Sequence, residues 1–544
     1  MRSWLTGLLA DRQDAGAAER WEEQTPDVRD WAFRVGLALL VLGVACRLLV
    51  YLLSFPIWRD EAALALNFVR RDFRGLLNEL DNFQVAPLLF LWMEKAIYQV
   101  AGASVPLLRL VPFLAGVSAL VLFWRLARLC LAPLAAALAV GFLAVAQAPI
   151  HLASMIKPYS LDLLAAVLLL FWAARYLRTP EQRGYLSALA LVTPLLVTAS
   201  YPAICVAGSV SLVLLPVVWQ QASRAGRSWF LVLNVLCLAT FAAHVCFVGR
   251  DGHDPTLPAV EAYMSGFWHA GLLPHQPLSV LRWLALAHTG HLFSYPLTFN
   301  GGGLLGLLLV LAGIHALYRQ RRLGLLGLCL LPLALNFAAA VLRRYPYGGD
   351  QRLEQHLVPG ICLLLGAGTA ELIRILPAGR RLGAATLAGL FALIGLIGSA
   401  SDVLHPYHDV EAAWAADIGL YLRREVRAQD RIIFPHTERF TLNCLRWQLL
   451  PFGEQVCTTD TMDWLRPGQV RGRLWLVDQM LEQAPAVHEP PVRDPFALSA
   501  LSRCASWHTV RRVRFLVRET NAGAPLLFFY CCDLHVLERG DSAI

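Results

Sequence analysis

Apolar runs of about 18 to 25 residues recur along this chain up to residue 400, and they limit what it can fold into. An α-helix rises ~1.5 Å per residue, so ~20 apolar residues match the ~30 Å hydrocarbon core of a bilayer. The runs are rich in Leu, Ala and Val and are separated by Arg-rich or Pro/Gly-rich joints. That pattern suits spanning helices and not the weak alternation of an outer-membrane barrel. With 57% apolar residues, 16% charged residues and a mean hydropathy of +0.52, the chain reads as a polytopic membrane protein.

The net charge of +8 invites comparison with nucleic-acid binders. The arginines, however, sit at the ends of apolar runs, as topology signals do, and a nucleic-acid partner is not expected. They cluster at residues 125–128, 175–183, 223–227, 318–322 and 374–381. If each cluster is cytoplasmic, the spans between them come in pairs. Counting 85–101 as a span would break that parity, and the segment carries Glu94 and Lys95 in its middle. Each would cost ~2.5–3.5 kcal/mol at the bilayer centre, so 85–101 is expected to be an interfacial helix.

The expected spans are 32–55, 106–126, 131–149, 159–177, 183–200, 202–220, 229–248, 301–319, 323–342, 354–376 and 382–400, eleven in all. Residues 1–31 are then a cytoplasmic lead-in with a short interfacial helix at WLTGLLA, and 32–400 a transmembrane domain with external loops at 56–105 and 249–300. Residues 401–544 are an extracytoplasmic domain. Apolar segments there, RIIFPH, RLWLVDQ, VRFLVRE and PLLFFYCC, are separated by Pro, Gly and charged turns, as in a small α/β domain.

Of twelve cysteines, Cys444, Cys457, Cys504, Cys531 and Cys532 lie in this tail. An oxidising compartment would allow a bridge, for which Cys444 with Cys457 is the candidate; all five staying reduced is the alternative. Among 47 basic residues only Lys95 and Lys157 are lysine, and both fall on the expected external face. Wholesale arginine reflects a GC-rich bacterial genome, so the two lysines either mark sites that need a compact ammonium or are there by chance.

Four patches share that face. Trp58-Arg59-Asp60-Glu61 opens an expected surface helix along AALALNFVRRDF, where acids are also ordinary first-turn residues. Phe83 to Phe90 holds Pro87 at a helix start, and by itself reads as a lipid-facing amphipathic helix. His151 to Asp162 places a His, Lys157, Tyr159 and an acid at a membrane lip, and Asp162 lies a turn inside the span. A buried acid in a span is functional by default, the alternative being a local pair with Lys157. Residues 343–359 bring Arg343, Arg344, Tyr345, Arg352 and His356 to a membrane edge. Guanidinium forks fit phosphate oxygens, though arginines at a span's end also snorkel.

The loop 249–300 holds His253, His269, His275, His288 and His291 with Asp251, Asp254 and Glu261. No pair has metal-finger spacing, so a covering loop is preferred to a zinc site. No metal or other cofactor is required; a divalent cation at Asp60, Glu61 and Asp162 is allowed but not demanded. P-loop and GxSxG motifs are absent.

The order of features, an acidic pair after the first span, then Ala-Pro-Leu-Leu-Phe-Leu-Trp at 86–92, Leu108 to Gly116 and Lys157-Pro-Tyr-Ser-Leu-Asp162, resembles the GT-C membrane glycosyltransferases. It is nearest the branch of protein O-mannosyltransferases and lipid A aminoarabinose transferases. The resemblance covers residues 32–376. Many family members have Pro-Pro-Leu-Tyr where this chain has Ala86-Pro87-Leu88-Leu89, which leaves the subfamily and the sugar open.

The resemblance implies an inverting transferase in the bacterial inner membrane. It would move a sugar from a polyprenyl-phosphate carrier, among membrane lipids, to a glycan, lipid or protein acceptor on the outer face. Asp60 would be the general base with Glu61 in support, and Arg352 and Lys157 would hold the lipid phosphate. A flippase of lipid-linked sugars is the rival, weakened by the absence of an internal repeat. A scaffold whose tail binds envelope partners is the third reading.

Overall fold

The computed structural model describes residues 26–247, 266, 268–297, 302–375, 380–434, 443–458, 472–483, 507–519 and 528–539. They form two compact units, one of residues up to Ser54 with Asn67–His405, the other of Phe55–Leu66 with residues from Pro406 onward. The expected lead-in helix at WLTGLLA lies outside the described residues.

The helices in chain order are α1 (Pro26–Leu53), α2 (Arg59–Arg70), α3 (Leu88–Ala101), α4 (Leu110–Cys130), α5 (Pro133–Ala144), α6 (Tyr159–Arg178), α7 (Gly184–Ala199), α8 (Ala203–Gln221), α9 (Arg224–Phe247), α10 (Pro277–Thr289), α11 (Gly302–Arg319), α12 (Leu323–Val341), α13 (Val358–Ile375) and α14 (Arg380–Leu404). Among the described residues, nine helices are long and apolar enough to cross a membrane: α1, α4, α6, α8, α9, α11, α12, α13 and α14. The two other expected spans fall on α5 and α7, shorter apolar helices of 12 and 16 residues. These are about 18 and 24 Å long, less than the ~30 Å core.

Local chain chemistry shortens them. Pro133 sets the first turn of α5, which ends at Ala144 before a separate short helix, Gln147–Leu152, so the expected span 131–149 is broken inside. α7 stops where Ser200 turns extended, two residues before Pro202. The expected span 106–126 is likewise divided at Arg109, which ends the short helix Val105–Leu108 and precedes α4.

Residues 358–369 of α13 are all buried, making it a central helix of its unit. Small residues let its neighbours close on it. A Cβ on Gly368 would meet the Leu309 carbonyl oxygen of α11, and one on Gly313 the Leu364 carbonyl oxygen of α13. Such backbone approach is how helices without a hydrophobic driving force between them gain packing energy.

In the second unit, helices α15 (Val410–Glu425) and α16 (Asn443–Leu449) pack with a mixed sheet of order β2-β1-β3-β5-β4. Its strands are β1 (Arg431–Phe434), β2 (Val456–Thr458), β3 (Leu474–Gln483), β4 (Trp507–Glu519) and β5 (Phe528–Arg539). β1 runs parallel to β2 and β3, while β5 is antiparallel to β3 and β4. Trp475 and Val477 of β3, with Leu534 and Val536 of β5, alternate at the period of a strand and fill one core. Trp414, Ile418 and Leu422 meet them at helical spacing from α15. Asp430 ties the start of the sheet, accepting hydrogen bonds from the Trp475 Nε1 (3.0 Å), the Arg473 backbone (2.9 Å) and the Arg427 backbone (3.0 Å).

Two expectations are corrected. Cys444 and Cys457 are both free thiols, the first buried on α16 and the second on edge strand β2. The helix after Asp60 is not a surface helix: Glu61 to Phe68 are all buried.

Candidate functional site

In the first unit, residues 342–357 join α12 to α13 by a compact turn rather than a floppy loop. Tyr347 donates its backbone N–H to the Gly271 carbonyl (2.7 Å), and the buried Asn336 amide donates to the Pro346 carbonyl (3.0 Å). Gly348 sits at φ +73°, a conformation that favours glycine, and a Cβ there would strike Ala287. The turn therefore presents its side chains from a fixed backbone.

Tyr345 is the hub of those side chains. Its hydroxyl donates to the Leu353 carbonyl (2.8 Å), and its ring stands edge-on to His356 with centroids 5.8 Å apart. Burial pushes its phenol well above the ordinary range, and the charges of Asp162, Tyr159, Cys205 and Glu354 nearby add to that. Four groups from α6, α8 and the turn thus surround one phenol. Burial also raises Glu354 to about 8, opposed by the Gly348 backbone and assisted by Asp350, and lowers His356 to about 3.

These groups are under-satisfied by protein. One Asp162 oxygen has no hydrogen-bond partner, although the Ser200 hydroxyl stands beside the carboxyl. Both Glu354 oxygens and both His356 ring nitrogens fall outside hydrogen-bond geometry, although the Gly348 and Leu353 backbones approach them. Leaving a buried polar atom unpaired costs about 1–3 kcal/mol, so their gathering here makes this the candidate site.

At the start of α6, Lys157 is buried and donates to the Gln84 side chain (2.7 Å), while Tyr201 donates to the Ala86 carbonyl (2.8 Å). Gln84 is thereby tied to the 157–162 segment and Ala86 to the joint between α7 and α8. Arg352 makes a bidentate contact with Asp350, through Nε (2.8 Å) and Nη2 (2.6 Å), at the rim of the turn. Arg343 and Arg344 are exposed, the former donating to the Leu273 carbonyl (3.0 Å). The structure thus brings Tyr159, Asp162, Tyr345 and His356 together, holds Lys157 and Arg352 in local pairs, and leaves Arg343 and Arg344 on the outside.

Asp60 and Glu61 lie in the second unit. Glu61 is fully buried, and its Oε2 accepts the Trp58 backbone N–H (3.0 Å), which makes it the back-reaching half of a capping box for α2. Asp60 is half-buried. Glu94 on α3 is also buried without a hydrogen bond, and burial raises its carboxyl well above the usual range.

Of the histidine-rich loop, His288 accepts or donates a bond with the Tyr347 hydroxyl (3.1 Å), whereas His253, Asp251, Asp254 and Glu261 lie outside the described residues. Among the described residues no group of three or more His, Cys, Asp or Glu is placed to hold a metal ion. Sequence reasoning missed Glu354 and Tyr347. An acid in RLEQHL, one turn before an apolar span, repeats the signal that singled out Asp162.

No protein-family model matches the chain, and no curated protein sequence matches it. Solved structures do. ArnT from Cupriavidus metallidurans bound to undecaprenyl phosphate superposes with a TM-score of 0.53 at 15% identity, covering 90% of this chain and 97% of that one. The fold resembles that of the GT-C membrane glycosyltransferases. The same ArnT in the apo state gives a TM-score of 0.50 at 15% identity over 91% and 98% of the two chains. The Archaeoglobus fulgidus oligosaccharyltransferase in the apo form gives 0.43 at 11% identity over 90% and 80%. The GT-C-like likeness extends through both units, since nine tenths of the chain is covered.

Proposed function

We propose that this chain is an inverting GT-C-type transferase that moves a sugar from a polyprenyl-phosphate carrier to a glycan, lipid or protein acceptor on the outer face of the membrane. The observation that carries the proposal is the set of unsatisfied polar atoms on buried Asp162, Glu354 and His356, gathered around Tyr345, which ask for a polar ligand at the end of membrane helices. The ArnT likeness supports it, since that protein was seen with undecaprenyl phosphate over a fold matching 97% of its chain.

In this reading the acceptor hydroxyl gives its proton to Asp60 as its oxygen bonds to the anomeric carbon. The bond from that carbon to the phosphate oxygen breaks on the opposite side, and polyprenyl phosphate leaves with the charge. General-base help of this kind is worth roughly 10²–10⁴-fold. Lys157 and Arg352 take the developing phosphate charge, Arg352 by exchanging its Asp350 partner for the ligand. Tyr159, Tyr345 and His356 face the sugar hydroxyls. Eleven spans, α5 and α7 among them, keep the amino terminus cytoplasmic and put residues 401–544 outside.

The test is transfer of label from a panel of polyprenyl-phosphate sugars to membrane acceptors, comparing the intact chain with Asp60→Asn. Transfer by the intact chain and a loss of at least 10²-fold in the variant, at equal protein level, is the expected result. Normal transfer by Asp60→Asn removes Asp60 from the base role, and no transfer from any donor brings the flippase reading forward.

A further inference from the structure

Helix α10 carries two apolar faces, and among the described residues the chain covers only one of them. The covered face seats the turn of the candidate site. Trp283 stacks on Phe337 of α12 with ring centroids 5.8 Å apart and tilts against Tyr347 of the turn at 6.2 Å, while His288 shares a hydrogen bond with the Tyr347 hydroxyl (3.1 Å). Ala287 occupies the space that a Cβ on Gly348 would need. On the opposite side Leu278, Leu281, Arg282, Ala285 and Leu286 are all exposed, the leucines by 84%, 68% and 58%. Positions spaced three and four apart form one stripe along a helix, so this is a contiguous apolar face interrupted by a single arginine.

The neighbouring span says what lies against that face. With 13 residues α10 is ~20 Å long and too short to cross a bilayer. Its C-terminal end runs beside the first two turns of α11: a Cβ on Gly303 would meet the Thr289 and Gly290 carbonyl oxygens, and one on Gly306 the Phe293 carbonyl oxygen. Over the same turns α11 exposes Leu304, Leu305 and Leu308. α11 is long and apolar enough to cross a membrane, so leucines on its open side meet lipid, and the end of α10 stands at their level. We propose that α10 lies in the membrane interface at the amino-terminal end of α11, with its leucine stripe among the acyl chains. Arg282 fits such a seat, because its stem can lie along apolar surface while the guanidinium reaches the headgroups. The bilayer then backs the helix on which the turn 342–357 is seated, and the depth of that turn relative to the lipid surface is fixed from outside the protein. The inference rests on α11 being a span and not on the transferase reading.

The test uses the full-length protein in phosphatidylcholine–phosphatidylglycerol liposomes, with a benzophenone amino acid placed at Leu281 or, as the lipid-facing reference, at Leu308. Irradiation followed by mass spectrometry should give lipid adducts at Leu281 in at least about a third of the yield at Leu308. A lower lipid yield at Leu281 overturns the proposal, whether the probe is left in water, joins residues 249–265 of its own chain or joins a second copy. An absence of lipid adducts at Leu308 overturns it too, by removing the premise that α11 faces lipid there. Hydrogen exchange reads the backing of the turn without any activity. Charge placed among acyl chains drives a helix out of them, so residues 342–357 should exchange roughly tenfold faster or more in Leu278→Glu/Leu281→Glu, and a smaller rise overturns the link between bilayer and turn. If that variant does not fold, Leu281→Gln should raise the same exchange by about threefold or more, and a smaller rise overturns the link.

Discussion

Replacing Glu354 by glutamine should flatten the pH dependence of stability. Glu354 is 1% exposed, and burial raises its carboxyl from 4.5 to about 8. Between those values the folded protein holds a proton that the unfolded chain has released. The carboxyl therefore weakens the fold progressively as pH rises through that window, and the loss is complete above about 8. At pH 6 the penalty is about 1.5 units and at pH 9 about 3.5 units, a difference of about 2 units or about 3 kcal/mol. Glutamine carries no such proton. The assay is thermal unfolding of the detergent-purified chain and Glu354→Gln at pH 6, 7.5 and 9. The intact protein should lose stability relative to the variant by about 3 kcal/mol across the series. Parallel curves would show that Glu354 is solvated or paired in the folded state, and would remove it from the proposed ligand site.

Gly368→Leu should prevent α11 and α13 from closing, because the side chain meets a backbone carbonyl that cannot move aside; gel filtration should show loss of the monodisperse species, and a normal profile would refute the close approach. Asp430→Ala should destabilise the C-terminal sheet by about 3 kcal/mol, since Trp475, Arg473 and the Arg427 backbone lose a charged acceptor, as read by circular dichroism on the full chain. Although burial works the other way, those bonds together hold the Asp430 carboxyl below its usual range, so its contribution is present at neutral pH and is lost as pH falls through the acid range.

The helices were legible because lipid leaves a chain little choice: about 20 apolar residues between Arg-rich joints have to be helical. The breaks at Ala144, Arg109 and Ser200 were less so, since Leu, Ala and Val continue across them and only a Pro or a single polar residue marks the change. In the tail, four apolar segments became β1, β3, β4 and β5, whereas the three residues of β2 are too few to show a period. Asp162 was visible as an acid inside an apolar run. Glu354 carries the same signal at the edge of a span but was passed over, because RLEQHL reads as a polar joint until the turn around Gly348 folds it inward. Arg343 and Arg344 carry the charge of a phosphate clamp, but sequence does not say which way a guanidinium points, and both are exposed. The buried state of α2 was hidden for a related reason: acids in a first turn and an alternating apolar face describe a surface helix unless distant residues cover it.

The acidic pair shows most plainly where such reading stops. Asp60 and Glu61 are adjacent in sequence, but neighbours on a helix point about 100° apart and do not face each other. One carboxylate is spent on the Trp58 backbone, closing the start of α2 from a fully buried position. The other, one residue earlier, is half-buried. A pair of carboxylates written side by side is therefore two single groups in space, one of which closes a helix start. What distinguishes them is the cap bond and the full burial of Glu61, and burial depends on residues the local sequence does not contain.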